Sequence, residues 1–288
     1  MKGLVISSLY GKYTLFSNGS KLDQLFTLKG ALQKQKVRIV AGDYVEYDEN
    51  DSTIISRYER KSYIKRPEIA NIDYLVIVSS LKEPTFSFDL IFKYLTYANA
   101  CSIKPVIVIT KTDIGDEAIV NQIKEIFTKL GIKLFFISNK TLEGLNEIKE
   151  FLNGQVFCLM GQSGVGKSSF LNSIDSNFQR AIGQYSEALG RGKHQTKETI
   201  LFPYNGGFIA DTPGFSSLEL NLDKQELAHY FPGFMERYTS CEYSDCLHIS
   251  EKNCKVKEAL TSGDIPSIAY DCYIKMLEEI ISYRRGRK

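Results

Sequence analysis

The chain opens with short stretches in which apolar and polar positions alternate: "GLVISS", "YTLFS", "KVRIVAGDYVEY" and "STIISRYE", punctuated by Gly, Asn and Asp. Such runs predict strands. No long 3.6-residue apolar period lies among them, so residues 1–60 are expected to form a small antiparallel barrel. "RKSYIKRPEIANID" follows, and its charges and Pro67 predict a linker. From residue 72 the pattern changes. "DYLVIVSS" (73–80), "PVIVIT" (105–110), "KLFFIS" (133–138), "VFCLMG" (156–161) and "GGFIADT" (206–212) are almost continuously apolar, as strands covered on both faces of a parallel sheet must be. Helical spacing fills the gaps, in "FDLIFKYLTYANAC", "EAIVNQIKEIFTKLG" and "LEGLNEIKEFL". Strand–helix alternation predicts a doubly wound α/β domain over roughly residues 70–220. Past residue 222 the pattern is mainly helical, interrupted by a Cys/His cluster.

Composition sharpens this only in places. At 288 residues and 43% hydrophobic, the chain can fill two or three cores. The net charge of +2 announces no nucleic-acid binder, but residues 1–66 hold 12 Lys and Arg against 7 Asp and Glu. That local excess points to an anionic partner for the N-terminal segment, or to a merely solvated basic face. No apolar run nears the roughly 18 residues of a membrane span and no signal peptide is evident, so the expected location is the cytoplasm, without membrane association. Six cysteines there do not suggest disulfides.

The strongest chemical signal is Gly161-Gln162-Ser163-Gly164-Val165-Gly166-Lys167-Ser168-Ser169. A buried strand runs into it and a helix leaves it, so loop N–H groups and the helix N-terminus can surround phosphate oxygens. Lys167 is expected to neutralise the β- and γ-phosphates, and Ser168 to bind Mg²⁺. Downstream, "FIADTPG" puts Asp211 at a strand end, where a carboxylate holds Mg²⁺, and Gly214 where its N–H can meet the γ-phosphate. The polar, Gly-rich "GQYSEALGRGKHQTKET" between them reads as a mobile switch loop, with Thr196 placed to close on Mg²⁺ and the γ-phosphate.

A second signal precedes the first. "VIVITKTD" ends a buried strand in Thr110-Lys111-x-Asp113. In GTPases with this motif, usually Asn-Lys-x-Asp, the Asp accepts two hydrogen bonds from guanine. A buried Asp113 would be left unsatisfied by adenine, which gives strong discrimination. Lys111 would pack its stem along the base. "FFISNKT" then resembles the segment whose backbone supports the guanine oxygen, with Ser138 and with Asn139 in the usual Ala place. The order is base motif, supporting motif, phosphate loop, switch, then Asp-Thr-Pro-Gly. That is the order of a Ras-type GTPase cut after Asp-Thr-Pro-Gly and rejoined elsewhere, a rewiring that an open sheet tolerates.

Cys241, Cys246, His248 and Cys254 supply four ligands within fourteen residues. Three thiolates and one imidazole suit a structural Zn²⁺ with no open catalytic position. Cys101 and Cys158 read as core residues. Cys272 follows a helix's apolar face, and His229 reads as packed or exposed rather than a ligand.

Permuted order, N-terminal β segment and Cys/His cluster together resemble one family over essentially the whole chain: the ribosome small subunit-dependent GTPases, RsgA or YjeQ/YloQ. "GDYVEY" and "KRPEIANID" sit where that family leaves its OB-fold and enters its GTPase domain. The resemblance implies a multidomain α/β protein: an RNA-binding OB-fold over 1–66, a circularly permuted GTPase domain over 67–220, and a mainly helical zinc-binding domain over 221–288. It implies GTP hydrolysis, stimulated by the small ribosomal subunit late in that subunit's maturation, with rRNA and other assembly factors as partners and a monomeric state. "GRGKHQT" resembles the family's "GRGKHTT". His194 thus matches a histidine proposed to assist water attack, and Gln195 departs from the first Thr. Phe215 occupies the place of the Ras-type water-orienting Gln, so a catalytic group must come from elsewhere. For His194 two roles stay open, assisting the water or contacting RNA and shaping the loop. Two rival classes also stay open: an RNA-binding factor in which nucleotide occupancy only sets affinity, and an ATPase or kinase, against which Asp113 argues.

Overall fold

The computed structural model describes residues 1–176, 178, 199–211 and 222–285. Strand β1 (Lys2–Leu9) turns at Tyr10-Gly11 into β2 (Lys12–Ser17), which turns at Asn18-Gly19 into β3 (Ser20–Lys21). There follow β4 (Thr27–Leu28), the short helix α1 (Gly30–Lys34), β5 (Tyr44–Asp48) and β6 (Thr53–Arg57). Their sheet runs in the order β3-β2-β1-β5-β6-β4. Tyr13 in β2 exchanges backbone hydrogen bonds of 2.8 and 2.9 Å with Phe26, just before β4, so β2 meets the chain entering the strand at the far edge and the barrel closes. Val5, Leu15, Phe26, Val45, Tyr47 and Ile54 fill it. One feature departs from the expected antiparallel pattern. β4 and β6 pair parallel, because α1 and residues 35–43 carry the chain from β4 across to β5, and β6 returns antiparallel to β5 to lie beside β4.

The stretch read as a linker is a hairpin, β7 (Tyr63–Lys65) and β8 (Glu68–Ala70), with Pro67 in its turn. It is bound to the barrel through buried polar groups. Asp43 is fully buried, and its carboxylate takes the guanidinium of Arg60 in a fork at 2.6 and 2.8 Å and the N–H of Val40 at 2.8 Å. Asn71 donates to the Gly42 carbonyl at 2.7 Å and accepts from the Lys61 N–H at 2.9 Å. Two-point charged hydrogen bonding of this kind is stronger and more directional than a neutral bond. It adds to the apolar contact of Ile64, Ile69 and Ile72, which are buried in the same segment.

The α/β region follows: β9 (Tyr74–Ser80), α2 (Phe88–Ala100), β10 (Lys104–Thr110), α3 (Glu117–Lys129), β11 (Lys133–Phe136), α4 (Leu145–Phe151), β12 (Val156–Met160) and α5 (Lys167–Ile174). Beyond the undescribed residues come β13 (Ile200–Tyr204) and β14 (Gly207–Asp211), then α6 (Lys224–Tyr230), α7 (Lys255–Ser262) and α8 (Ser267–Arg285). The sheet order is β11-β10-β9-β12-β14-β13. β10 pairs parallel with β11, and β12 with β14, as the continuous apolar runs require. β13 was not legible as a strand. It is an antiparallel edge strand containing Pro203, and an edge is where a missing N–H is tolerated.

By contacts the chain forms two compact units. One comprises Met1–Leu75, Asn146–Leu159 and Ser168–Phe215, the other Val76–Leu145, Met160–Lys167 and Ser216–Lys288. Within the first, the barrel packs on the β13–β14 hairpin: β1 lies beside β13, and the Phe16 ring meets Phe208 edge-on at 5.1 Å. Asp73 accepts the Val156 N–H at 2.8 Å and returns its own N–H to the Val156 carbonyl at 2.7 Å, which places the start of β12. Within the second, α2, α6 and α8 share an aromatic core. Phe231 stacks on Phe92 at 5.3 Å and meets Tyr273 at 5.4 Å, and Asn99 donates to the Tyr230 carbonyl at 2.9 Å. Among the described residues no helix is long and apolar enough to cross a membrane.

Asp43→Ala removes the carboxylate and leaves a mostly buried guanidinium without its partner. The barrel is expected to lose about 3 kcal/mol, read as faster hydrogen exchange of the amides from Val40 to Tyr47. Lys129→Ala, which deletes an exposed ion pair with Glu125 worth at most about 0.5 kcal/mol, is expected to leave that exchange unchanged.

Candidate functional site

β12 is buried along its whole length and ends at Met160, so the following loop starts from a fixed point. The loop then hugs the sheet. A Cβ on Gly161 would lie 2.2 Å from the Val78 carbonyl oxygen, which excludes any side chain there. Gly166 has φ +94°, and a Cβ on it would meet Asn139 Nδ2 at 3.3 Å and Thr110 Oγ1 at 3.7 Å. Val165 and Phe170 are buried on either side of Lys167, while Gln162, Ser163, Gly164, Ser168 and Ser169 are exposed. Lys167 arches over its own loop: Nζ donates to the Gly161 carbonyl at 2.7 Å and the Gln162 carbonyl at 2.6 Å. Burial of this ammonium lowers its pKa. The result is a ring of backbone closed by one cation, beside the first turn of α5. Such a ring can receive an anion.

Thr110 ends β10 fully buried, and its hydroxyl donates to the Val165 carbonyl at 2.6 Å, with the Ser79 carbonyl 3.2 Å away. The strand carrying the base motif is thereby tied to the phosphate loop. Lys111 takes the left-handed conformation, φ 58°, and its Nζ donates to the Glu83 carbonyl. Asp113, expected to be buried, is exposed, because it lies on the 3₁₀ turn Thr112–Ile114 beyond the strand end. One of its oxygens accepts the Ser138 hydroxyl at 2.8 Å. Ser138 is itself buried, and its oxygen accepts the Thr141 N–H at 3.1 Å, so it joins the supporting turn to the base motif. The neighbouring Asn139 has a buried Oδ1 with no hydrogen-bond partner.

Asp211 ends β14 opposite Ile200, and burial raises its pKa. A carboxylate held this way gains from a nearby cation. Gly214, His194 and Thr196, with Gln195 and Phe215, lie outside the described residues.

The four sequence-predicted metal ligands do converge. One ligand atom from each of Cys241, Cys246, His248 and Cys254 lies within 4.8 Å of every other. His248 turns Nδ1 toward Cys254 Sγ at 3.3 Å and Cys241 Sγ at 3.7 Å. Burial pushes the Cys246 thiol up to about 12 and also raises that of Cys254. It lowers His248, keeping the imidazole neutral. Three thiols and a neutral imidazole gathered in a buried spot form a donor set that a cation satisfies, with release of the thiol protons. The cluster can hold a metal ion.

Its supports were not legible in the sequence. The Glu251 carboxylate accepts the N–H groups of Leu247 at 2.7 Å, Ile249 at 2.7 Å and Ser250 at 3.0 Å, which fixes the loop bearing His248. Tyr270 and Tyr273 on α8 donate to the His248 and Leu247 carbonyls, each at 2.7 Å. A spacing of three from the histidine to an acid was the available signal for Glu251. The tyrosines are too far away in sequence to show any. His229 takes no part in the cluster. Its ring stacks on Tyr230 at 4.5 Å and lies 3.8 Å from Tyr238. Cys158 and Cys272 are buried and Cys101 half-buried.

A strand–loop–helix built for an anion, tethered to a base-reading motif that comes before it in the chain, defines a phosphate-loop nucleotide-binding protein of permuted order. Comparison with known proteins places it more closely. A family model described as RsgA GTPase matches residues 57–221. The chain is 38% identical to the small ribosomal subunit biogenesis GTPase RsgA of Geobacillus sp. strain WCH70, over 97% of each chain. It is 36% identical to that of Thermotoga maritima, over 99% of this chain and 98% of the other. The crystal structure of YjeQ from Thermotoga maritima superposes with a TM-score of 0.82 at 34% identity, covering 97% of this chain and 98% of that one. YloQ, described as a circularly permuted GTPase, gives 0.78 at 31%, covering 100% and 96%. The chain belongs to the RsgA GTPase family.

Because its pKa is raised from the usual 3.8, Asp211 favours folding only while protonated. That contribution is present below the ordinary carboxylate range and is lost as pH rises through the raised value. Asp211→Asn is therefore expected to melt about 2 °C higher than the parent at pH 7 without nucleotide or divalent cation, and the gap should close toward pH 4. A lower melting temperature at pH 7 would contradict this.

Proposed function

We propose that the protein is a GTPase of late small-subunit maturation, which binds rRNA of the small ribosomal subunit and hydrolyses GTP to GDP and phosphate when that subunit stimulates it. One observation carries the reading: Thr110 hydrogen-bonds the Val165 carbonyl across 55 positions, so the base motif and the phosphate loop act as one site. Family membership supplies the reaction and the names of the relatives supply the particle.

In this reading residues 161–169 wrap the phosphates, Lys167 leaves its two loop carbonyls for β- and γ-phosphate oxygens, and Asp113 accepts from guanine. Lys111 lies along the base, and the backbone at Ser138 and Asn139 supports the guanine oxygen. Ser168, Thr196 and Asp211 would hold Mg²⁺, which would supply positive charge against the phosphates. Gly214 offers its N–H to the γ-phosphate, and His194 orients the attacking water. The closed barrel of residues 1–66 is an OB-fold that meets RNA through its basic excess, residues 67–220 are the permuted GTPase domain, and 221–288 the zinc-binding domain. Zn²⁺ suits the Cys₃His set because its tetrahedral preference is met with no open position. The protein works as a cytoplasmic monomer beside other assembly factors.

GTP hydrolysis at fixed salt is expected to rise by an order of magnitude or more on adding purified small subunits, and Lys167→Ala should abolish the rise. Tight GTP binding without any rise would favour a factor governed by occupancy alone. Elemental analysis is expected to find one zinc per chain. Cys246→Ser should lose it and unfold residues 241–254 first, read by proteolysis.

A further inference from the structure

Two departures from the expected base motifs stand close together. Thr110 occupies the usual Asn place and Asn139 the usual Ala place, and both side chains approach the same spot, within 3.7 Å of where Gly166 would carry a Cβ. The hydroxyl of Thr110 has one proton to give. That proton goes to the Val165 carbonyl at 2.6 Å, so Thr110 holds the phosphate loop and has nothing left to donate to a base. An Asn has two N–H groups and could do both. The missing carboxamide is present nevertheless, on the neighbouring loop, in Asn139.

The state of that carboxamide indicates its partner. Asn139 Oδ1 is buried with no hydrogen-bond partner, so the NH₂ is the end left to meet a ligand. Ser138, next in the chain, already bonds Asp113 at 2.8 Å, so Asn139 sits on the turn that positions the base-reading carboxylate. The imidazole edge of guanine shows only acceptors, N7 and O6. The Nδ2 end lies 3.3 Å from where Gly166 would carry a Cβ, so Asn139 presents its NH₂ beside Thr110 as it stands. We propose that Asn139 donates a side-chain hydrogen bond to N7 of the bound guanine, dividing between Thr110 and Asn139 two tasks that one Asn has protons enough to perform. This rests on the reading of Asp113 as the guanine acceptor.

The test compares GDP with 7-deaza-GDP, in which N7 is a C–H, by direct binding to the full chain at fixed salt. The parent is expected to bind the deaza analogue about fivefold to tenfold more weakly. Asn139→Ala should bind GDP more weakly by the same factor and no longer distinguish the two. Equal binding of both nucleotides by the parent would overturn the proposal while leaving the guanine reading intact. So would a preference that persists in Asn139→Ala. A parent that binds ADP as tightly as GDP would overturn the guanine reading and this proposal with it. If Asn139→Ala fails to fold, as judged by its melting profile, the comparison within the parent still decides.

Discussion

The backbone of residues 161–166 lies so close to its surroundings that a side chain is shut out against Val78 at Gly161, while at Gly166 the left-handed φ of +94° and the nearby Asn139 and Thr110 disfavour one. That approach governs the rest of the site. It brings a loop carbonyl within reach of a short hydroxyl, where a wider gap would demand a longer side chain. Once Thr110 is joined to Val165, the turn that starts at Lys111 has a fixed origin, and Ser138 can fix Asp113 in turn. Each of these neutral bonds nets only about 1 kcal/mol. Their effect is positional, since a nucleotide that touches both loops meets them already at the right separation.

Most of this architecture could be read from patterns that depend on near neighbours. The doubly covered strands announced themselves as unbroken apolar runs, and the phosphate loop and metal ligands through spacing. What escaped was set by long-range geometry. Pro203 hid β13, because a proline argues against a strand until the strand is known to be at an edge. Charge and proline made residues 60–73 look open, and nothing nearby in sequence showed that Arg60 meets Asp43 or that Asn71 reaches Gly42. The base motif suggested a buried Asp113, whereas a one-turn 3₁₀ helix carries it clear of the strand. The residues of the motif were legible, and their depth was not.

The barrel and the metal cluster solve a common problem by similar means. Each combines apolar packing with backbone whose polar groups are met by side chains. In the barrel the fork of Arg60 on Asp43 sets the hairpin of residues 63–70 in place. At the cluster, Glu251 gathers three N–H donors and two tyrosines donate to the carbonyls of Leu247 and His248. Buried backbone groups are thus satisfied by side chains where no strand or helix does so. Such sites are sensitive to the removal of one partner, since the other is left buried alone.

The order of strands also matters for a chain that is made from one end. β9, β10 and β11, with the Thr110–Asp113 turn, are synthesised before β12 and the phosphate loop exist. At about 5–20 residues per second, the stretch of roughly fifty residues between Asp113 and Gly161 corresponds to several seconds of synthesis. During that interval Thr110 has no Val165 to meet, but the Ser79 carbonyl, 3.2 Å from its hydroxyl, belongs to the strand already made. Asp73 likewise stands ready, with both an N–H and a carboxylate, for the arrival of Val156. A cut that reverses the motif order therefore gives the nascent chain β9, β10 and β11 first, and the side beside β9 is filled later by β12 and the loop that follows it.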